Sequence, residues 1–155
     1  MAKLKYLVIH CTATPEEREV TKQNIKDWHL KGRGWSRVGY CDLIQLDGTL
    51  VSLHEFNQDD YVDNWEVTNG AKGYNGISQH IVYSGGVSKD NILIAKDTRT
   101  KAQKKALETY IRYMILRHPK IKIIGHNQIS NKGCPSFDVQ KWLKEIGIKL
   151  INIGL

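Results

Sequence analysis

The stretch from residue 77 to residue 125 constrains the fold most. It opens with the apolar run Ile77-Ser78-Gln79-His80-Ile81-Val82-Tyr83-Ser84, which stops at Gly85-Gly86. A long amphipathic segment follows at 100–118. There Ala102, Ala106, Leu107, Tyr110, Ile111, Met114 and Ile115 recur at helical spacing and form one apolar stripe. His118-Pro119 ends it, because the residue before a proline is pushed out of the helical region. Residues 120–125 (KIKIIG) then read as another strand. Residues 5–10 (KYLVIH), apolar and bounded by polar neighbours, add a third run of the buried-strand type. Strands alternating with helices define the α/β class.

The other segments fit around that sheet. Thr21 is placed to cap a helix running to about Lys31, with Ile25 and Trp28 on one face and Gly32 as its stop. Residues 39–54 (GYCDLIQLDGTLVSLH) read as a hairpin, in which Asp47-Gly48 offers two positive-φ positions for a tight turn. That antiparallel hairpin makes the sheet mixed rather than wholly parallel. Residues 55–76 carry five acids (Glu55, Asp59, Asp60, Asp63, Glu66) and no base before Lys72, and read as a long surface loop holding one short helix. Residues 136–146 form a last helix with Val139, Trp142, Leu143 and Ile146 inward and Gly147 as its cap. The expected architecture is α/β, a single domain over 1–155 with a central mixed β-sheet flanked by helices.

At 155 residues such a core is large enough to need no disulfide staple. Cys11, Cys41 and Cys134 are odd in number and widely spaced, so at least one thiol is free. No apolar run approaches the roughly 18 residues of a membrane span, and no membrane insertion is expected. The basic and apolar start is too short for a secretory signal, so synthesis in the cytosol is expected. Charge is lopsided: residues 1–95 hold 10 basic and 12 acidic side chains, whereas residues 96–155 hold 13 and 4. The C-terminal third should therefore meet something anionic, such as a nucleic acid, an anionic lipid surface or a cell-wall polymer. A nucleic acid is the weaker choice and none is expected. No nucleic-acid motif is present, and the lysines of 101–122 mostly lie opposite the apolar stripe, as on a solvated face.

His10 and His126 each close an apolar strand, after YLVI and KIIG. Strand ends are rigid platforms that open toward loops, where sites are built. Cys134 lies eight residues beyond His126 and before Pro135, a gap that lets a loop turn the thiol back beside the imidazole. Two imidazoles and one thiolate suit zinc and leave a fourth position for water. Spacing alone does not separate this reading from two strand-end histidines and a turn cysteine.

Five blocks carry a resemblance. They are Ile9-His10-Cys11-Thr12-Ala13-Thr14; Ile25-Lys26-Asp27-Trp28-His29 with Gly34-Trp35-Ser36-Arg37-Val38-Gly39-Tyr40; Asp47-Gly48-Thr49; Ala71-Lys72-Gly73-Tyr74-Asn75; and Gly125-His126 through Lys132-Gly133-Cys134-Pro135-Ser136-Phe137-Asp138. In their order and spacing the chain resembles the zinc-dependent N-acetylmuramoyl-L-alanine amidases, the type that includes short phage lysozymes and peptidoglycan recognition proteins. The resemblance implies His10, His126 and Cys134 as zinc ligands and Tyr40 and Lys132 as the catalytic side chains flanking the metal. It implies Trp35 and Asn75 as cleft-wall residues toward the substrate. The implied reaction is hydrolysis of the amide joining N-acetylmuramic acid to L-alanine in peptidoglycan, with Lys132 stabilising the oxyanion and Tyr40 orienting water or assisting proton transfer. The implied setting is a monomeric, endolysin-like unit made in the cytosol that acts on the wall after release.

The chain departs from the pattern in three places. Cys41 stands where His often follows the tyrosine. Asn69-Gly70-Ala71 stands where the cleft loop usually carries a histidine. Asn127-Gln128 replaces the usual polar pair after His126. The alternative reading is a non-catalytic peptidoglycan-recognition module of the same fold. Retention of Cys134 argues for an enzyme, since the binders typically lack it. Among the remaining histidines, His29 reads as packing or capping near its helix end, and His54, His80 and His118 as surface, strand and helix-end residues.

Overall fold

The structure is a computed structural model describing residues 1–155. Its strands in chain order are β1 (Ala2–Lys3), β2 (Tyr6–Cys11), β3 (Thr14–Pro15), β4 (Asp42–Ile44), β5 (Leu50–Ser52), β6 (Tyr61–Val62), β7 (Ser78–Tyr83), β8 (Gly86–Val87) and β9 (Lys122–Gly125). The α-helices are α1 (Lys22–Lys26), α2 (Lys101–Arg117) and α3 (Val139–Glu145). The central sheet has the order β5-β4-β7-β2-β9. Strands β2, β4, β7 and β9 run parallel, and only β5 is antiparallel to its neighbour, so the sheet is mixed as the hairpin required.

Alternation along the parallel strands sorts side chains to two faces. Leu7, Ile9, Ile44, Ile81, Tyr83 and Ile123 join Leu107, Ile111 and Met114 of α2 and Val139 and Leu143 of α3 in the main core. Val82 and Leu43 point the other way and pack with Val20, Ile25, Val38 and Leu53 beside α1. His10 pairs in register with Val82 and shares that second face, the one that carries the site.

Local chemistry explains most element boundaries. Thr100 caps α2 by accepting the Gln103 N–H, and the Gln103 side chain accepts the Thr100 N–H in return. The stripe starts one residue later than its apolar pattern suggests: Ala102 is exposed, and Gln103 is buried because its amide also donates to the Ser84 carbonyl at the end of β7. Asp138 caps α3 by accepting the Lys141 N–H. Thr21 caps α1, but beyond Lys26 the helix widens into a π-helical turn over Asp27–Gly32, which carries a buried His29 inward. The hairpin turn also differs from expectation. Only Gly48 has positive φ, at 87°; Gly48 N–H bonds the Gln45 carbonyl and Gln45 N–H bonds the Thr49 carbonyl. A glycine bulge therefore closes the hairpin in place of a turn with two positive-φ positions.

The 55–76 loop is more ordered than its polarity suggests. It contains β6, paired antiparallel with β1, and 3-10 turns at Asn64–Glu66 and Asn75–Ile77 rather than one short helix. Glu66, counted among the surface acids, is fully buried and accepts the N–H groups of Asn57 and Asp63. His118 and Arg117 fasten the same loop to the end of α2 through Asp60 and the Gln58 carbonyl.

A candidate metal centre at the strand ends

Parallel pairing sets Ile9 opposite Gly125, so the next residues of the two strands, His10 and His126, emerge side by side with ring centroids 4.6 Å apart. The loop after His126 returns Cys134 to this point. Its Sγ lies 3.7 Å from His10 Nδ1 and accepts the Cys11 backbone N–H at 3.2 Å. One ligating atom from each of His10, His126 and Cys134 falls within 4.8 Å of the others. His10 is 1% exposed and lies beneath the floor, while His126 and Cys134 reach the cleft.

The cleft encloses about 710 Å³. Tyr40, Lys132, Trp35 and Asn75 line it, so every residue singled out in the sequence converges on this one site. The Tyr40 ring stands 5.0 Å from His10 and 5.3 Å from His29, which in turn stands 4.8 Å from Trp35. Gly39 N–H donates to His29 Nδ1 at 2.9 Å and fixes that ring as cleft wall. Arg33 lies over Trp35 at 5.1 Å and adds a cation to the rim beside Lys72 and Lys132. Asn75 turns its side-chain oxygen inward, where it accepts the Ala71 N–H and meets His80 Nε2.

The electrostatics favour neutral imidazoles. Burial, reinforced by the neighbouring His80, His126 and Lys132, holds His10 well below the usual histidine range. Burial and the Lys132 charge lower His126 as well. Burial lowers His29 to about 4 and His80 to about 3. It pushes the Tyr40 phenol far above its ordinary value, so this group keeps its proton. The Cys11 and Cys134 thiols share a hydrogen bond, which draws Cys11 down to about 7 and holds Cys134 up. Cys41 is buried, and burial raises its thiol to about 12.

Two histidines beside the candidate ligands, one in the cleft wall and one buried beneath it, escape sequence reasoning. His29 was legible only as a packing or capping residue, because the π-helical widening that turns it toward Tyr40 has no local signature. His80 lies in a strand, as its apolar run predicts. Its place two residues before Val82, on the same face as His10, follows only from the β2–β7 register.

A cleft with two imidazoles and a thiol at and just beneath its floor, at the carboxyl ends of parallel strands and walled by aromatic and cationic side chains, makes a hydrolase-type site able to hold one metal ion. The sequence profile of the N-acetylmuramoyl-L-alanine amidase family (Amidase_2) matches residues 1–137. The chain is 34% identical to the endolysin of Enterobacteria phage K11 over 137 residues, covering 88% of this chain and 83% of that protein. It is 31% identical to the endolysin of Escherichia phage T7 over 136 residues, with the same coverage. The Ph2119 endolysin of a Thermus scotoductus bacteriophage shares the fold at a TM-score of 0.69 and 25% identity, over 96% of this chain and 88% of that one. The chain belongs to the N-acetylmuramoyl-L-alanine amidase family, and its activity is that of an N-acetylmuramoyl-L-alanine amidase.

Proposed function

We propose that the chain is a zinc-dependent, endolysin-type amidase that cuts peptidoglycan between N-acetylmuramic acid and the L-alanine of the stem peptide. In this reading His10, His126 and Cys134 hold the metal. The observation that carries it is the convergence of their three ligating atoms within 4.8 Å of one another. The donor set fits zinc, which accepts imidazole nitrogen and thiolate sulfur together. Both imidazoles are held neutral, as ligands must be; the Cys134 thiol is held up by its hydrogen bond with Cys11, so it would give up its proton on metal binding. When bound, zinc supplies Lewis acidity that acidifies water and polarises a carbonyl.

The chain's own residues do the rest. Lys132 holds a positive charge at the rim, where negative charge develops on the carbonyl oxygen of the substrate. Tyr40, protonated throughout the neutral range, donates a hydrogen bond beside His10 and orients the attacking water. Trp35 and Asn75 wall the substrate side, and the rim cations Arg33 and Lys72 suit a stem peptide rich in carboxylates. The basic residues of 96–155 draw the enzyme toward an anionic wall. We read it as a monomer, a single domain over 1–155, made in the cytosol and acting on the wall after release. No helix is long and apolar enough to cross a membrane. The test is metal analysis combined with an assay on purified sacculi. One zinc per chain, activity lost on chelation and restored by zinc, and loss of zinc in His10→Ala, His126→Ala and Cys134→Ser are the expected results. A metal-free preparation that releases L-alanine amino termini at the full rate overturns the zinc assignment.

A further inference from the structure

We propose that His80 is a positioning residue of the metal centre: it decides which nitrogen of His10 faces the other ligands. The inference rests on the zinc reading above. His80 sits on β7, fully buried, on the face it shares with His10. Its Nδ1 lies 2.9 Å from His10 Nε2, and its Nε2 lies 3.0 Å from the Asn75 side-chain oxygen.

The proton order along this row is fixed from its far end. The Asn75 atom in question accepts the Ala71 backbone N–H at 2.8 Å, which identifies it as the carbonyl oxygen. An oxygen of that kind only accepts, so His80 Nε2 carries the ring proton and donates it. With one proton on the ring, His80 Nδ1 presents a lone pair. His10 must then donate from Nε2, and its Nδ1 lone pair is left facing Cys134 Sγ at 3.7 Å. The row thus runs from a loop amide to a ligand nitrogen and holds His10 in the tautomer a metal requires.

The cleft loop is shaped to admit this ring. A Cβ on Gly70 would fall 2.6 Å from His80 Cγ and Nδ1 and 2.7 Å from the Gly39 carbonyl. Only glycine lets the loop close over the imidazole.

The experiment compares His80→Leu with His80→Asn, in which the asparagine oxygen stands where Nδ1 stood and still accepts from His10. Zinc affinity is measured on the whole chain by competition with a chromophoric chelator. The leucine variant should bind zinc roughly 10- to 100-fold more weakly, and the asparagine variant should stay within about threefold of the parent. Nitrogen-15 NMR of the metal-free parent should find the His10 proton on Nε2. Equal affinity in the leucine variant, an asparagine variant as weak as leucine, or a proton on His10 Nδ1 overturns the proposal. If thermal unfolding shows that the leucine variant does not fold, Gly70→Ala displaces the ring with His80 retained and should weaken zinc similarly; unchanged affinity there counts against it. A parent that binds no zinc refutes the metal reading instead, while the NMR measurement still decides the direction of the row.

Discussion

Removing one oxygen atom at residue 40 separates chemistry from architecture in this cleft. The Tyr40 ring packs 5.0 Å from His10 and 5.3 Å from His29 and also leans on the Val38–Leu43 cluster. Phenylalanine keeps all of those contacts, so Tyr40→Phe should change stability by less than about 0.5 kcal/mol and leave zinc affinity intact. What it removes is a donor that burial keeps protonated. A positioned group that orients the attacking water and assists proton transfer is worth roughly 10²- to 10⁴-fold in kcat, about 3–5 kcal/mol. The assay counts L-alanine amino groups exposed per enzyme per minute on purified sacculi at saturating substrate, with zinc affinity and unfolding midpoint measured on the same preparation. Because the phenol does not ionise in the working range, no fall in kcat at alkaline pH should trace to residue 40, and the variant and parent profiles should differ in height and not in shape. A variant that keeps more than about a tenth of the parent kcat refutes the role. A variant whose zinc affinity falls in step with its rate shows instead that residue 40 works through the ligands.

Three further outcomes follow from the same geometry. Lys132→Ala should lower kcat by about 10²-fold or more and, in the metal-free protein, raise the pH at which His126 titrates by NMR, because the lysine charge now holds that imidazole down. His29 has a folded-state value of about 4 against about 6.5 unfolded, so below pH 6.5 the unfolded chain takes up a proton that the folded chain refuses, and stability falls with pH until about pH 4; at pH 5 the loss is about 2 kcal/mol, and His29→Asn, which still accepts the Gly39 N–H, should lose that much less between pH 7 and pH 5 in urea unfolding. Gln103→Leu should cost about 3 kcal/mol in the same assay, because it strips partners from the Ser84 carbonyl and the Thr100 N–H at the buried start of α2.

The parts of the fold that a local pattern can encode were readable in the chain. The 100–118 segment became a helix over Lys101–Arg117, since seven apolar positions at one period and a terminal His-Pro leave little choice. The strands ending at His10 and before His126 were readable as apolar runs, and with them two of the three candidate ligands. What escaped depends on partners distant in sequence. The β1–β6 pair is two residues long on each side, too short for any periodicity. Glu66 reads as a solvated acid until the Asn57 and Asp63 amides close around it. The π-helical turn at Asp27–Gly32 follows α1 with no glycine or proline before its last residue. The cleft itself was gathered from the sequence by resemblance; no spacing rule would have joined Tyr40 and Lys132 to the strand-end histidines.

Positions 70 and 80 show how the site can depart from its family's sequence pattern and keep an imidazole in the same neighbourhood. The resemblance leads one to expect a histidine in the cleft-loop stretch that here reads Asn69-Gly70-Ala71. No side chain fits at Gly70, because the space beyond its Cα is filled by the ring of His80 and the Gly39 carbonyl. The imidazole comes from the sheet rather than the loop, and the difference is mechanical. A histidine on the loop would be placed by the few hydrogen bonds of a connecting segment. His80 is placed by the six-residue register between β2 and β7, the same pairing that sets His10. The proposed ligand and the residue proposed to position it are therefore held by one rigid ladder, so motion of the Lys72–Gly73 tip of the cleft loop need not disturb the orientation of His10.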